Sequence, residues 1–161
     1  VCFAGKLRRG TCVTKADTQA FDAFSGGNTG CPPDGVIDDG VLTLLDMPQP
    51  EAPALRLPVP VRAAVLPVTP LLDAETVLTC CGRDVLLLYG YGVGGVPEAL
   101  ADAVAQVVRS GTRVYLGTQC ACGPADCSVY AVGRRMQALG VRCLGAQTVE
   151  DAIACIQCGL L

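Results

Sequence analysis

The sequence predicts an α/β protein of the flavodoxin-like type: a three-layer α/β/α arrangement around a four-stranded parallel sheet, preceded by a remnant of another domain. Three observations carry this. From about residue 61 onward, short apolar runs alternate with helix-like runs in the order βαβαβαβα. The segments between them are short and marked by glycine or proline. Residues 1–34 lack the alternation altogether. Alternation of this kind requires parallel strands joined by right-handed crossovers, with helices covering both faces.

Four basic residues, Lys6, Arg8, Arg9 and Lys15, precede the first acid in residues 1–34. "VCFAGKL" and "TCVTK" read as two short strands around Arg9-Gly10, and "FDAFSGGNTGCPPDG" as an irregular linker. The first strand is entered midway, which points to a chain that begins inside a longer protein. Residues 46–60, "DMPQPEAPALRLPVP", hold five of the eleven prolines and read as a loop or short edge segment, because proline removes a helix donor. Residues 61–68 read as a strand, 70–81 as a helix and 84–89 as a strand. Residues 97–110 read as a helix, with Pro97 in its first turn and Gly111 past its end. A strand at 112–118, a helix at 128–139 closed by Gly140, and a strand at 141–145 follow. The last helix is 148–161, with Thr148 as N-cap and Asp151 completing a near capping box.

The 161 residues are 51% apolar but only 4% aromatic, without tryptophan, so a core of Val, Leu and Ala is expected. A net charge of −3 gives no reason to expect a nucleic-acid partner. No run approaches the roughly 18 apolar residues of a membrane helix, so no membrane partner is expected. Histidine is absent, which excludes histidine acid–base catalysis and Cys/His zinc sites. The eleven cysteines fall on strands and helices, and read as reduced, half-buried thiols of a cytoplasmic protein. Disulfides are one alternative. A metal site drawing on Cys120, Cys122, Cys127, Cys155 and Cys158 is another, but nothing in the spacing demands converging thiolates. No metal and no cofactor are predicted.

Gly90-Tyr91-Gly92-Val93-Gly94-Gly95 satisfies the dinucleotide pattern G-x-G-x-x-G between a strand and a helix. The acid that would hold a ribose about 20 residues on is missing, because the next strand ends in Gly117, Thr118 and Gln119. Pro97 also removes an early backbone donor from the following helix. The stretch therefore reads as a tight βα turn.

Taken in order, "GKLRRGTCVTK", "FDAFSGGN", "YGYGVGGVP", "GTQCACG", "YAVG" and "LGVRCLGAQTVEDA" resemble the carboxyl-terminal part of bacterial-type L-asparaginases of the cytoplasmic type I group. Archaeal glutamyl-tRNA amidotransferase subunits and animal proteins joining an asparaginase domain to ankyrin repeats share the pattern. The resemblance implies that residues 1–34 close an amino-terminal domain with its linker, and that 35–161 form the carboxyl-terminal domain. It implies a homodimer or homotetramer, asparagine as the small-molecule partner, and no cofactor. It also turns the glycine stretch into the family's Y-G-x-G-N turn, which approaches a neighbouring subunit's active site. Tyr91, Gly92, Gly94 and Gly95 occupy that turn, and Gly95 replaces the Asn that touches substrate.

The family's catalytic threonine motifs, of the Thr-Gly-Gly-Thr and Gly-Thr-Asp-Thr types, do not occur in this chain, so no catalytic residue is predicted in it. Thr14-Lys15 matches a structural strand of the family, as do Arg9 and Asn28. Thr118, Gln119 and Cys120 match a T-Q-C motif that helps to bind an effector asparagine. The family's companion Arg is Tyr89 here, which cannot clamp a carboxylate with a bidentate fork. Cys120 as a nucleophile would need a base, for which Asp126 and Arg113 are poor substitutes. The remaining alternative is that Cys120 is a buried packing thiol. Thr11 and Cys12, Gly26 and Gly27, Val132, and Ala146 with Gln147 depart further from the pattern. The sequence thus supports two readings: part of an asparaginase-like amidohydrolase, or a non-catalytic, diverged domain kept for oligomerisation or regulation.

Overall fold

The computed structural model describes residues 1–45 and 57–161. Most of the predicted proline-rich loop, residues 46–56, lies outside the described residues. The chain divides into two units, Val1–Val59 with Gln147–Leu161, and Pro60–Ala146.

In the first unit, β1 (Cys2–Phe3) and β2 (Lys6–Leu7) form a hairpin about Ala4-Gly5. "VCFAGKL" is therefore two strands rather than one. A tight helical turn at Gly10–Cys12 precedes β3 (Thr14–Lys15), which pairs antiparallel with β4 (Phe24–Ser25). The stretch read as an irregular linker thus contains a strand, and a second tight turn at Gly27–Thr29. β5 (Gly35–Asp38) and β6 (Val41–Leu44) make another hairpin, giving an antiparallel sheet in the order β1-β2-β5-β6. Its turn has positive φ at Asp39 (46°) and Gly40 (77°), the conformation whose twist suits a two-residue hairpin. Buried Asp34 sits just before β5; its carboxylate accepts from Arg9 N (2.5 Å), Nε (3.0 Å) and Nη2 (2.6 Å).

The last helix, α4 (Val149–Gln157), belongs to this unit and packs on the turn at Gly10–Cys12. The Thr148 hydroxyl caps it by accepting the Asp151 N–H at 3.2 Å, as the sequence indicates. The alternating pattern had made this helix one more cover of the parallel sheet. Its buried residues, Ala152 and Ile156, are absent from the apolar cluster that fills the second unit.

The second unit carries the parallel sheet. Its strands are β7 (Ala63–Pro67), β8 (Val85–Gly90), β9 (Arg113–Thr118) and β10 (Arg142–Cys143), in sequential order and all parallel. Pro67 is tolerated because β7 is an edge. β8 is central and almost wholly buried, as a near-continuous apolar run predicts. The connecting helices are α1 (Ala74–Leu78), α2 (Ala101–Arg109) and α3 (Ala131–Ala138). With right-handed crossovers, a sequential strand order puts successive helices in one layer, and α1 packs on α2 and α2 on α3. α1 is shorter than the sequence suggests because Asp73 caps it, accepting the Thr76 N–H at 2.7 Å. Beneath these helices Leu86, Leu88, Val104, Val107, Leu116 and Met136 form the centre of the core.

Candidate functional site

Parallel strands present their carboxyl ends on one edge, and there the second unit gathers the residues singled out in the sequence. β8 runs into the glycine turn while its neighbour β9 runs into Thr118-Gln119-Cys120. Gly90 and Thr118 are register partners, so the two motifs are adjacent in space though 28 residues apart in sequence.

The turn is closed by its own backbone. Tyr91 N–H donates to the Gly95 carbonyl at 2.8 Å, while Gly94 N–H (2.9 Å) and Gly95 N–H (2.5 Å) donate to the Tyr91 carbonyl. A phosphate cradle needs backbone N–H groups aimed outward, and these three point inward. This removes the basis for a dinucleotide site, in agreement with the missing ribose acid. The glycines are dictated by geometry. A Cβ on Gly90 would lie 2.5 Å from the Gly95 carbonyl oxygen, and Gly92 and Gly94 have φ of 49° and 101°. Tyr91 stands exposed at the turn, whereas Gly95 is half-buried.

Thr118 and Gln119 hold this turn in place. The Thr118 hydroxyl is buried; it donates to the Gly92 carbonyl and accepts the Cys120 N–H at 3.0 Å. The Gln119 side-chain amide donates to the Val68 carbonyl at 2.7 Å and the Tyr89 carbonyl at 2.6 Å. Its backbone N–H donates to the Gly90 carbonyl at 3.0 Å. One side chain therefore ties the ends of β7 and β8 to the end of β9, and its NH₂ group has no donor left for a ligand. Cys120 is exposed, not a buried packing thiol. Burial fails because β9 ends at Thr118 and the chain turns outward after it.

Tyr89 lies on β8 opposite Gly117 of β9. A Cβ on Gly117 would meet Leu144 at 3.3 Å and the Tyr89 ring at 3.4 Å, so the ring lies across the glycine. An aromatic ring thus packs over the strand where the resemblance implies a guanidinium.

A supporting loop escaped the sequence reading. The Asp126 N–H donates to the Val93 carbonyl at 2.8 Å, bracing the glycine turn from outside. The Asp126 carboxylate accepts from Ser128 N (2.9 Å) and Oγ (2.6 Å), and the Ser128 hydroxyl holds it below the ordinary carboxylate range. The Asp-x-Ser spacing at 126–128 is the signal for such a turn. Between this loop and Gly95 a crevice lined by Val93, Gly94, Tyr130, Val132 and Gly133 offers about 10 Å³ to a water's centre. That suits one water, not an amino acid. Cys127 beside it is buried among apolar groups, which pushes its thiol up to about 12. Among the described residues no three Cys, Asp or Glu side chains converge as metal ligands.

The residues read as structural lie in the first unit. Arg9 is bonded to Asp34, the Thr14 hydroxyl donates to Glu150 at 2.9 Å, and Lys15 stands 5.6 Å from the Phe24 ring centre. Asn28 is inside the turn at Gly27–Thr29.

No family model matches the chain. L-asparaginase 1 of Escherichia coli K12 is 30% identical over 160 residues, covering 94% of this chain and 46% of that protein. A glutamyl-tRNA(Gln) amidotransferase component of Halobacterium salinarum is 29% identical over 157 residues, covering 84% of this chain and 34% of that one. The chain therefore spans about half the length, or less, of the curated relatives it matches. Among solved structures, the thermostable L-asparaginase from Thermococcus kodakarensis superposes with a TM-score of 0.86 at 27% identity, over 98% of this chain and 49% of that one. L-asparaginase I from Vibrio cholerae shares the fold, with a TM-score of 0.82 at 24% identity. Sequence and fold together make this chain a homologue of the L-asparaginases, consistent with the carboxyl-terminal part of a type I enzyme.

Proposed function

We propose that this chain is part of an asparaginase-like amidohydrolase that, when complete, converts L-asparagine and water to L-aspartate and ammonia. The observation that carries the reading is the match to L-asparaginase 1 over 94% of this chain and 46% of that protein. Amide hydrolysis needs a nucleophile, a group to deprotonate it and an oxyanion hole. The chain has no histidine and none of the family's catalytic threonine motifs. The exposed Cys120 thiol has no imidazole to activate it. The catalytic groups therefore belong to the remainder of the enzyme, and no cofactor takes part.

In this reading residues 1–34 close the amino-terminal domain and 35–161 form the carboxyl-terminal one. That division follows the family pattern, whereas the two packing units described above follow internal contacts. The assembly is a cytoplasmic homodimer or homotetramer with asparagine as its ligand. Tyr91, Gly92, Gly94 and Gly95 form the turn facing a neighbouring subunit's active site, and Thr118, Gln119, Cys120 and Tyr89 stand at the effector position. A membrane role has no support in the helices, none of which is long and apolar enough to cross a bilayer among the described residues.

The second reading is a non-catalytic, diverged domain retained for oligomerisation or regulation. It is favoured by specific observations: the Tyr89 ring covers Gly117, the Gln119 NH₂ group is spent on main-chain carbonyls, and Gly95 has no side chain to offer.

Ammonia release from asparagine by the purified chain tests the assignment of catalysis. None above the uncatalysed rate is expected. Turnover that survives Cys120→Ser would place an unrecognised nucleophile within these residues and overturn the reading.

A further inference from the structure

We propose that Cys12 and Cys31 form a thiol pair that a low-molecular-weight disulfide oxidises to an intramolecular Cys12–Cys31 bond. The proposal is independent of the amidohydrolase reading and concerns the first unit alone.

The geometry comes from two tight turns. Cys12 ends the turn at Gly10–Cys12, and Cys31 follows the turn at Gly27–Thr29. One hydroxyl gathers them: Thr29 Oγ1 accepts the Cys31 N–H at 3.1 Å and lies 3.5 Å from the Cys12 carbonyl oxygen. Arg8 Nη1 fixes the other side of Cys31 by donating to its carbonyl at 3.0 Å. The thiols interact directly, and both are half-buried, neither sealed in the core nor loose on the surface. A disulfide needs two main chains brought close with side chains facing each other, and Thr29 arranges that before any oxidation.

The environment divides the labour. Hydrogen bonding from Thr29 and from Cys12 holds the Cys31 thiol below its ordinary range, with the Arg9 guanidinium adding to this. Burial pushes the Cys12 thiol up. Cys31 is thus the attacking group, and Cys12 the resolving one. The Cys31 thiolate attacks one sulfur of the small disulfide, forming a mixed disulfide and releasing one thiolate. The Cys12 thiol then loses its proton to solvent and attacks the Cys31 sulfur, expelling the second small thiolate. Two protein thiols are oxidised, one small disulfide is reduced to two thiols, and no other reactant is required.

The chain contains a contrasting pair. Cys127 and Cys143 also interact, but Cys127 is buried and its thiol is pushed up to about 12. A thiol so rarely ionised exchanges slowly, so proximity alone does not make every pair in this chain reactive.

Tryptic mapping tests this on the full chain. Cleavage after Arg9, Lys15 and Arg56 isolates Cys12 in residues 10–15 and Cys31 in 16–56, each fragment with a single cysteine. The folded chain is treated with oxidised glutathione at mildly alkaline pH, its free thiols are alkylated, and it is digested without reductant. The expected major product is 10–15 joined to 16–56, lighter than the two free peptides by two hydrogens. In Cys12→Ser, Cys31 should stop at the glutathione mixed disulfide; in Cys31→Ser, Cys12 should remain largely unmodified. Recovery of the two fragments mainly as separate alkylated or glutathionylated peptides overturns the proposal. So does their linkage mainly to other cysteines.

Discussion

Asp34 accepts three hydrogen bonds from Arg9 while only 6% exposed, so its charge depends on its partner. Hydrogen bonding to Arg9 holds its carboxyl below the usual range, against the opposing effect of burial. A carboxylate whose folded pKa is depressed stabilises the fold above its unfolded pKa of about 3.9, and loses that contribution as pH falls through the lower folded value. Asp34→Asn should therefore cost about 1.5–3 kcal/mol near neutrality. Urea unfolding at pH 7 and at pH 3 checks this: the gap between parent and variant should shrink at the lower pH. An unchanged gap would mean that the ion pair contributes nothing specific. At the glycine turn, Gly90→Ala must force Gly94 and Gly95 apart, since the added Cβ would lie 2.5 Å from the Gly95 carbonyl oxygen. Gly92→Ala meets no atom within 4 Å, although its φ is 49°. Overpacking costs about 1–3 kcal/mol, and a left-handed alanine roughly 1–2. Thermal melts should rank Gly90→Ala as the more damaging of the two.

At the scale of elements, how much the sequence reveals depends on length and period. β8, β9, α2 and α3 each run six residues or more, long enough for apolar periodicity to identify them. The two-residue strands β1 to β4 have no period to read. The β5–β6 hairpin carried a legible signal, Asp39-Gly40 between apolar residues, that the reading passed over. Strand alternation was legible, but the sequential strand order and the placing of α4 in the other unit were not, because both are settled by tertiary packing. The same limit applies to the site. Motif order brought the glycine turn and Thr118-Gln119-Cys120 into view, whereas the Gln119 clamp needs the carbonyls of Val68 and Tyr89 positioned by two other strand ends. The cap on α4 was visible from Thr148 and Asp151. Thr148→Ala should cost about 1 kcal/mol and Thr148→Ser much less, a difference that denaturation midpoints resolve.

At the scale of the whole molecule, the account rests on a chain that matches about half of its relatives' length with their fold. If the glycine turn meets a second subunit, the purified chain should elute at twice or four times the monomer mass by light scattering. A strictly monomeric chain would withdraw the subunit role from Tyr91 and its neighbours. The inward N–H groups of that turn predict no heat on titration with NAD or ATP, and saturable binding of either would reopen the nucleotide reading. Whether catalysis lies elsewhere in the same protein is the central claim. It is tested most directly by reading the coding sequence upstream of Val1 from the 5′ end of the transcript. The account predicts an open frame encoding Thr-Gly-Gly-Thr and Gly-Thr-Asp-Thr type motifs followed by a lysine. A frame that begins near Val1, or one without those threonines, would contradict it and leave a non-catalytic relative.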